Sequence, residues 1–362
     1  MEKGKISALQ MSMMMFPTIM ATAILTVPGF TAKYAKQDLW ISPLWASLVG
    51  FMTVYISVRL NNLYPNYSFF QKCEKILGKL LGKLLGSIYV LLFILVSGQI
   101  TRSYAEFITG VFFPRTPISV IIISMIILSA FTVIGGIEVV GRVSQIFFPI
   151  FFISVLFIFM MLIPQLKPEN IFPIMEFGVL PSIKGAIVSQ AWFGEFFLIS
   201  FLLPLLSDVK KGMKWGMITV FLVLLTFITS NLLVLFILGH QTQVKIYPFL
   251  VAARFANIGN FIENLDPLII AFWILGAFVK ITVFLYVTVF GTAQWLNLSD
   301  YRPIVWPLGI LIIEFSFWSF PNLMAASRFD TTIWPFWGIL MQTLIPFVLL
   351  ILISLKNKFK KP

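Results

Sequence analysis

The sequence predicts an all-α integral membrane protein of ten transmembrane helices, arranged as a five-plus-five inverted repeat with broken helices one and six. Three observations carry this. The 362 residues are 59% hydrophobic and 11% charged, with a mean hydropathy of +0.97, too little charge to cover a soluble surface. The apolar residues fall in runs of about 20, the length that crosses a bilayer core. Interruptions recur in the first and sixth runs, at corresponding places in the two halves.

In chain order the predicted spans cover residues 8–34, 39–63, 85–113, 117–134, 141–164, 181–206, 213–238, 267–295, 303–320 and 332–355. Residues 1–362 then form a single transmembrane domain, with repeat one at about 8–164 and repeat two at about 181–355. No short, cleavable leader precedes the run that starts near Ile6, which predicts a retained first span. Ten spans place both termini on one side. Sixteen Lys and Arg fall on that side and eight on the other, with Arg102 and Lys280 inside spans. The positive-inside rule makes both termini cytoplasmic. Topology and anionic lipid thus account for the net charge of +12, and nucleic acid is not an expected partner.

The connections carry three further expectations. In 66–84 the lysines at 72, 75, 79 and 83 oppose an apolar face, predicting an amphipathic helix on the cytoplasmic leaflet. Its Gly78, Gly82 and Gly86 row reads either as a packing seam or as incidental to lysine anchoring. Residues 247–265 are apolar but too polar to span, predicting an outer lid helix, and 356–362 form a basic cytoplasmic tail.

One cysteine, Cys73, and one histidine, His240, leave no disulfide framework and too few soft ligands for zinc or haem. A Ser-His-Asp set cannot be built around a lone loop histidine, and no phosphate loop is present. The expectation is a protein without cofactor or metal that is not an enzyme.

The interruptions locate the expected site. "MATAILTVPG" (20–29) crowds two Thr, a Pro and a Gly into the middle of the first span, and "SQAWFGEFF" (189–197) brings Gly194 and Glu195 into the sixth. A gap in a membrane helix survives only beside protein, water or a polar ligand, although a single one also reads as a proline kink. Two matched breaks would turn free N–H groups toward an anion such as an amino-acid carboxylate. Lys280 lies too deep in the eighth span to snorkel fully and needs a partner, either carbonyls freed near Ala21–Ile24 or a carboxylate such as Glu195. Arg102 and Glu106, four apart on the third span, read as a structural or gating pair. Ser97 and Gly98 leave room for a small ligand, and Glu314 is expected to be buried in the ninth span.

Several stretches resemble the B subunits of bacterial spore germinant receptors, which belong to the amino acid/polyamine/organocation permease superfamily. These are "AILTVPGFTAKYAKQDLWIS" (23–42), "FFPRTPI" (112–118), "IGGIEVVGRVSQIF" (134–147), "FPIMEFGVLPSIKGA" (172–186) and "ARFANIGNFIENLDPLIIAFWILGAFVKITVFLY" (253–286). Their order along most of the chain is more specific than any one of them. The resemblance implies a LeuT-like fold, residence in the spore inner membrane, and assembly with an A subunit and a lipoprotein C subunit. It implies a nutrient germinant, commonly an amino acid, bound at the midplane by Ala21, Thr22, Ala23, Ile24, Leu25, Ser97, Phe193, Gly194 and Glu195, with Lys280 as an ion-site substitute or coupling group. Where relatives carry glycines, this chain has Ala21 and Ala23 flanking Thr22, whose methyl groups narrow the backbone approach. The competing expectation is a proton- or cation-coupled amino-acid permease, with Lys280 or Glu195 carrying the proton.

Overall fold

A computed structural model of the chain describes residues 2–65, 67–255 and 266–358. Among these residues the regular structure is helical, and Ile6 and Leu206 form an isolated parallel bridge. Eight helical stretches are long and apolar enough to cross a membrane: Ala8–Trp40, Ser42–Leu63, Lys79–Val111, Ile137–Gln165, Leu180–Leu205, Val209–Val244, Asp266–Leu296 and Trp334–Lys356. The chain is a multi-pass membrane protein. Of the ten expected spans, 117–134 and 303–320 fold as shorter helices, α5 (Ile118–Ile134) and α12 (Val305–Trp318).

Helix α1, Ala8–Ala35, opens with a capping box: Gln10 N–H donates to Ser7 Oγ at 3.1 Å, and Ser7 N–H donates to the Gln10 side chain at 2.9 Å. Both orphan donors are thereby satisfied. The expected break at 20–29 is absent, because α1 runs unbroken through Pro17 and Pro28. No glycine falls between Lys5 and Pro28, and alanine, present at 21 and 23, is the best helix former. Each proline removes one backbone N–H donor, yet neither ends the helix. Helix α1 is buried along most of its length and touches α6 (Ile137–Leu162), α7 (Leu180–Gly194), α9 (Gly212–Leu238) and α11 (Asp266–Leu296).

The sixth span changes its winding where the sequence is interrupted. Helix α7 ends at Gly194, a 3-10 turn runs over Glu195–Leu198, α8 covers Ile199–Leu202, and a second 3-10 turn covers Leu203–Leu205. Such a stretch within a helix often marks a hinge.

The amphipathic segment 66–84 is not one helix. Helix α3 covers Phe69–Leu77, and Gly78, at φ +89°, turns the chain into α4, Lys79–Val111. Only glycine takes that conformation at little cost. Gly82 lies against the backbone of Glu74, so α3 folds back directly onto the first turn of α4. Gly82 and Gly86, the latter against Trp295 and Phe70, are packing contacts, whereas Gly78 makes the turn; Lys79 and Lys83 belong to the span. Helix α2 covers Ser42–Leu63 and packs on α7 and α9.

At the end of the bundle away from the N-terminal residues, α10 covers Pro248–Ala253, within the expected lid 247–265, of which 256–265 lies outside the described residues. Helix α13, Leu323–Thr332, precedes α14, Trp334–Ile339. A π-turn at Leu340–Leu344 then leads into α15, Ile345–Lys358. Residues 359–362 of the expected basic tail lie outside the described residues.

Residues 2–7 close the opposite end. The Glu2 carboxylate accepts from Ile137 N–H at 3.0 Å, from Gly4 N–H at 2.9 Å and from the Tyr301 hydroxyl at 3.0 Å. It thereby caps the N-terminus of α6. Burial pushes the Glu2 carboxyl up, but these donors together hold it below the ordinary carboxylate range. Ile6 pairs with Leu205 and Ser207, and Ala8 N–H donates to Asp208 Oδ1 at 2.7 Å.

Candidate functional site

A cavity of about 90 Å³ opens among α1, α4, the end of α7, α11 and α13. One water needs roughly 10–15 Å³ on this measure, so the space holds several waters or a small solute. Its α4 wall is Val96, Gln99, Ile100, Ser103, Tyr104 and Phe107, spaced three and four apart so that one helix face turns inward. On α1 the wall is Thr22, Leu25, Thr26 and Phe30, again one face.

At its base lies the only ion pair among the described residues in which both side chains are almost wholly buried. Lys280 Nζ donates to Glu195 Oε1 at 2.9 Å, to Glu195 Oε2 at 2.8 Å and to Thr22 Oγ1 at 2.8 Å. The Lys280 and Glu195 side chains are 1% and 4% exposed. An ammonium has three N–H groups, and here all three are used. Trp192 Nε1 donates to the same Thr22 hydroxyl at 3.0 Å, so Thr22 joins α1, α7 and α11. Glu195 starts the 3-10 turn that follows α7. The change of winding sets the direction in which its carboxylate leaves the helix.

Above the base the walls are aromatic. Phe107 meets Tyr247 at 4.9 Å and Trp273 at 5.2 Å between ring centroids, and Phe30 meets Trp192 at 6.4 Å. Tyr247, which precedes α10, lines the cavity itself. Asp330 of α13 also lines it and accepts a short hydrogen bond from the Gln99 amide.

Of the sequence-predicted residues, the cavity brings together Thr22, Leu25, Glu195 and Lys280. Ala21, Ala23 and Ile24 are buried in α1 outside it. The Ala21 carbonyl accepts from Trp273 Nε1 at 2.7 Å, not from Lys280. Ser97 faces Thr288, with hydroxyl oxygens 3.2 Å apart, and does not line the cavity although its neighbours Val96 and Gln99 do. Phe193 packs on Phe227 at 5.4 Å, and a Cβ on Gly194 would meet Gln342. A carboxylate seat on free N–H groups of a broken first helix is not available, because α1 is continuous.

Arg102 and Glu106 pair at 2.8 Å on α4, both partly buried. Glu314 is exposed, contrary to expectation. Helix α12 packs through Val305, Leu308, Gly309, Ile312 and Ser316, and Glu314 lies on the opposite face.

Sequence reasoning missed Gln99, Ser103, Tyr104 and Asp330. For the first three the signal was present as the 96/99/100/103/104/107 stripe on α4. Asp330 fell in a stretch read as a loop, and its approach to Gln99 is a long-range fact that no local pattern encodes. Among the described residues, no group of three His, Cys, Asp or Glu could hold a metal ion.

A family model described as "Spore germination protein" matches residues 5–323. Spore germination protein KB of Bacillus subtilis (strain 168) is 25% identical over 324 residues, covering 87% of this chain and 85% of that protein. Putative spore germination protein YfkT of the same organism is 25% identical over 345 residues, 94% of each chain. Spore germination protein A2, also of that organism, is 22% identical over 344 residues, covering 94% and 93%. With a family match that runs nearly the whole length of a multi-pass helical membrane chain, the protein belongs to the spore germination protein family.

Proposed function

We propose that this chain is the nutrient-sensing B subunit of a spore germinant receptor, which seats a small solute such as an amino acid in the cavity above Lys280 and Glu195. The observation that carries the reading is that pair itself. Intramembrane charges are functional by default, and this pair lines a cavity where three helices are joined through Thr22. Closure around the solute, transmitted through α7 and the Glu195–Leu198 turn, passes to an A subunit and a lipoprotein C subunit. For this the solute must bind the closed state more tightly than the open one, since equal affinity shifts no population.

In this reading α5 and α12 complete ten spans in a five-plus-five LeuT-like arrangement. The termini face the cytoplasm from the spore inner membrane, supported by the excess of basic residues on their side.

The test is germination of spores whose only copy of the protein carries Ser103→Leu, which fills the cavity. With protein abundance equal to wild type by immunoblot, the nutrient response is lost; an unchanged response would overturn the proposal. A second reading, a proton-coupled permease, draws on the same buried titratable pair. Purified chain in sealed vesicles separates the two: uptake abolished by collapsing the proton gradient favours transport, and binding without uptake favours sensing.

A further inference from the structure

The charges around the cavity do not match an anionic ligand. Three charged residues line it: Glu195, Lys280 and Asp330. The first two neutralise one another, and all three ammonium protons of Lys280 are committed to Glu195 and Thr22. No cationic donor is left to receive a carboxylate. Asp330 is different. One of its oxygens takes the Gln99 amide; among the described residues it forms no direct ion pair, and Lys280, whose three N–H groups are already used, reaches it only through space.

Three further observations point the same way. The Tyr104 hydroxyl is buried and has no hydrogen-bond partner, on a residue that is 2% exposed and lines the same cavity. A buried hydroxyl without a partner is costly unless a ligand or water completes it. The remaining walls include Phe30, Phe107, Trp192, Tyr247 and Trp334, and faces of such rings attract cations, most strongly in a desolvated site. Asp330 also lies in the last turn of α13, where the helix dipole favours positive charge.

We propose that the cavity recognises its ligand through a positively charged nitrogen seated at Asp330, with the Tyr104 hydroxyl and the aromatic walls completing the subsite. This rests on the proposed solute-binding role of the cavity and specifies the class of solute: an amine, amino acid or other cationic nitrogen compound. The ammonium supplies donors to the carboxylate and to the phenol oxygen. Whatever anionic or neutral group the ligand also carries finds no free cationic donor at the Glu195–Lys280 floor.

The test compares three matched probes on purified full-length chain, at constant ionic strength, by thermal shift. L-alaninamide carries the cation without a carboxylate, N-acetyl-L-alanine carries the carboxylate without the cation, and L-lactamide carries neither. The expected result is stabilisation by alaninamide at lower concentration than by either other probe, with at least a tenfold loss of apparent affinity in Asp330→Asn. Tetramethylammonium as a competitor on the wild-type chain gives the same answer without a variant and is expected to weaken alaninamide binding. Preferential binding of N-acetyl-L-alanine or L-lactamide would overturn the cation subsite while leaving a solute-binding cavity in place. Amine binding that is unchanged in Asp330→Asn and insensitive to tetramethylammonium would overturn it as well. Stabilisation by none of these probes, nor by any free amino acid, would count against the solute-binding role and the subsite together.

Discussion

Lys280 keeps its ammonium at mid-span because Glu195 and Thr22 satisfy every N–H it has. Removing one member of such a pair leaves an uncompensated buried charge, at about 3–5 kcal/mol, whereas replacing both by apolar groups is often nearly neutral. Lys280→Met is therefore expected to destabilise the chain more than the double change Lys280→Met with Glu195→Leu, read by thermal unfolding in detergent. Equal or additive losses would contradict the pairing. Lys72 on α3 behaves in the opposite sense. It is 3% exposed, donates to Asn61 Oδ1 at 3.1 Å, and burial pushes it down to about 8 from its ordinary 10.5. Below pH 8 the folded state holds a buried proton that the unfolded chain binds more readily. Between pH 8 and 10.5 only the unfolded chain remains protonated, so stability contributed by this residue rises with pH. A depression of that size corresponds to about 3 kcal/mol. Lys72→Met is expected to be more stable than wild type at pH 7, with the difference shrinking toward pH 10; a pH-independent difference would contradict this. The sequence marked Lys280 as functional through its depth alone. Glu195 stood among its possible partners, and which one was chosen depended on how α7 and α11 pack.

At the level of elements, the first helix shows how a local signal misleads. Thr, Pro and Gly within 20–29 read as a gap, yet alanines at 21 and 23 and the absence of glycine within α1 before Gly29 keep it helical. The sixth span carries Gly194 beside Glu195, and there the winding does change. Gly82 shows the reverse case, in which a glycine that could be read as incidental sets a helix contact. Because a side chain at this position would meet the backbone of Glu74, Gly82→Leu is expected to undock α3. Protease cleavage within Phe69–Leu77, resisted by wild type, would then appear in membranes. Persistent protection would show that the seam is dispensable. Spans were legible because a bilayer demands long apolar runs. The cavity wall on α4 was legible only as a face, since nothing local says what that face meets.

Across the whole molecule, charge distribution and helix packing assign different things. The basic excess predicts which side each loop faces, and the natural thiol does not interfere with a labelling test, since Cys73 is buried and burial pushes it up to about 12. In intact cells an impermeant maleimide is expected to label Val244→Cys and to leave Lys3→Cys unlabelled until the membrane is opened. The reverse pattern would invert the topology. The central claim concerns the space that α1, α4, α7, α11 and α13 enclose over a neutralised ion pair, and solute binding to purified chain tests it most directly. Thermal shift across free amino acids should show at least one solute that stabilises wild type by several degrees and leaves Ser103→Leu unchanged. Equal stabilisation of both proteins would place binding elsewhere on the chain and contradict the account.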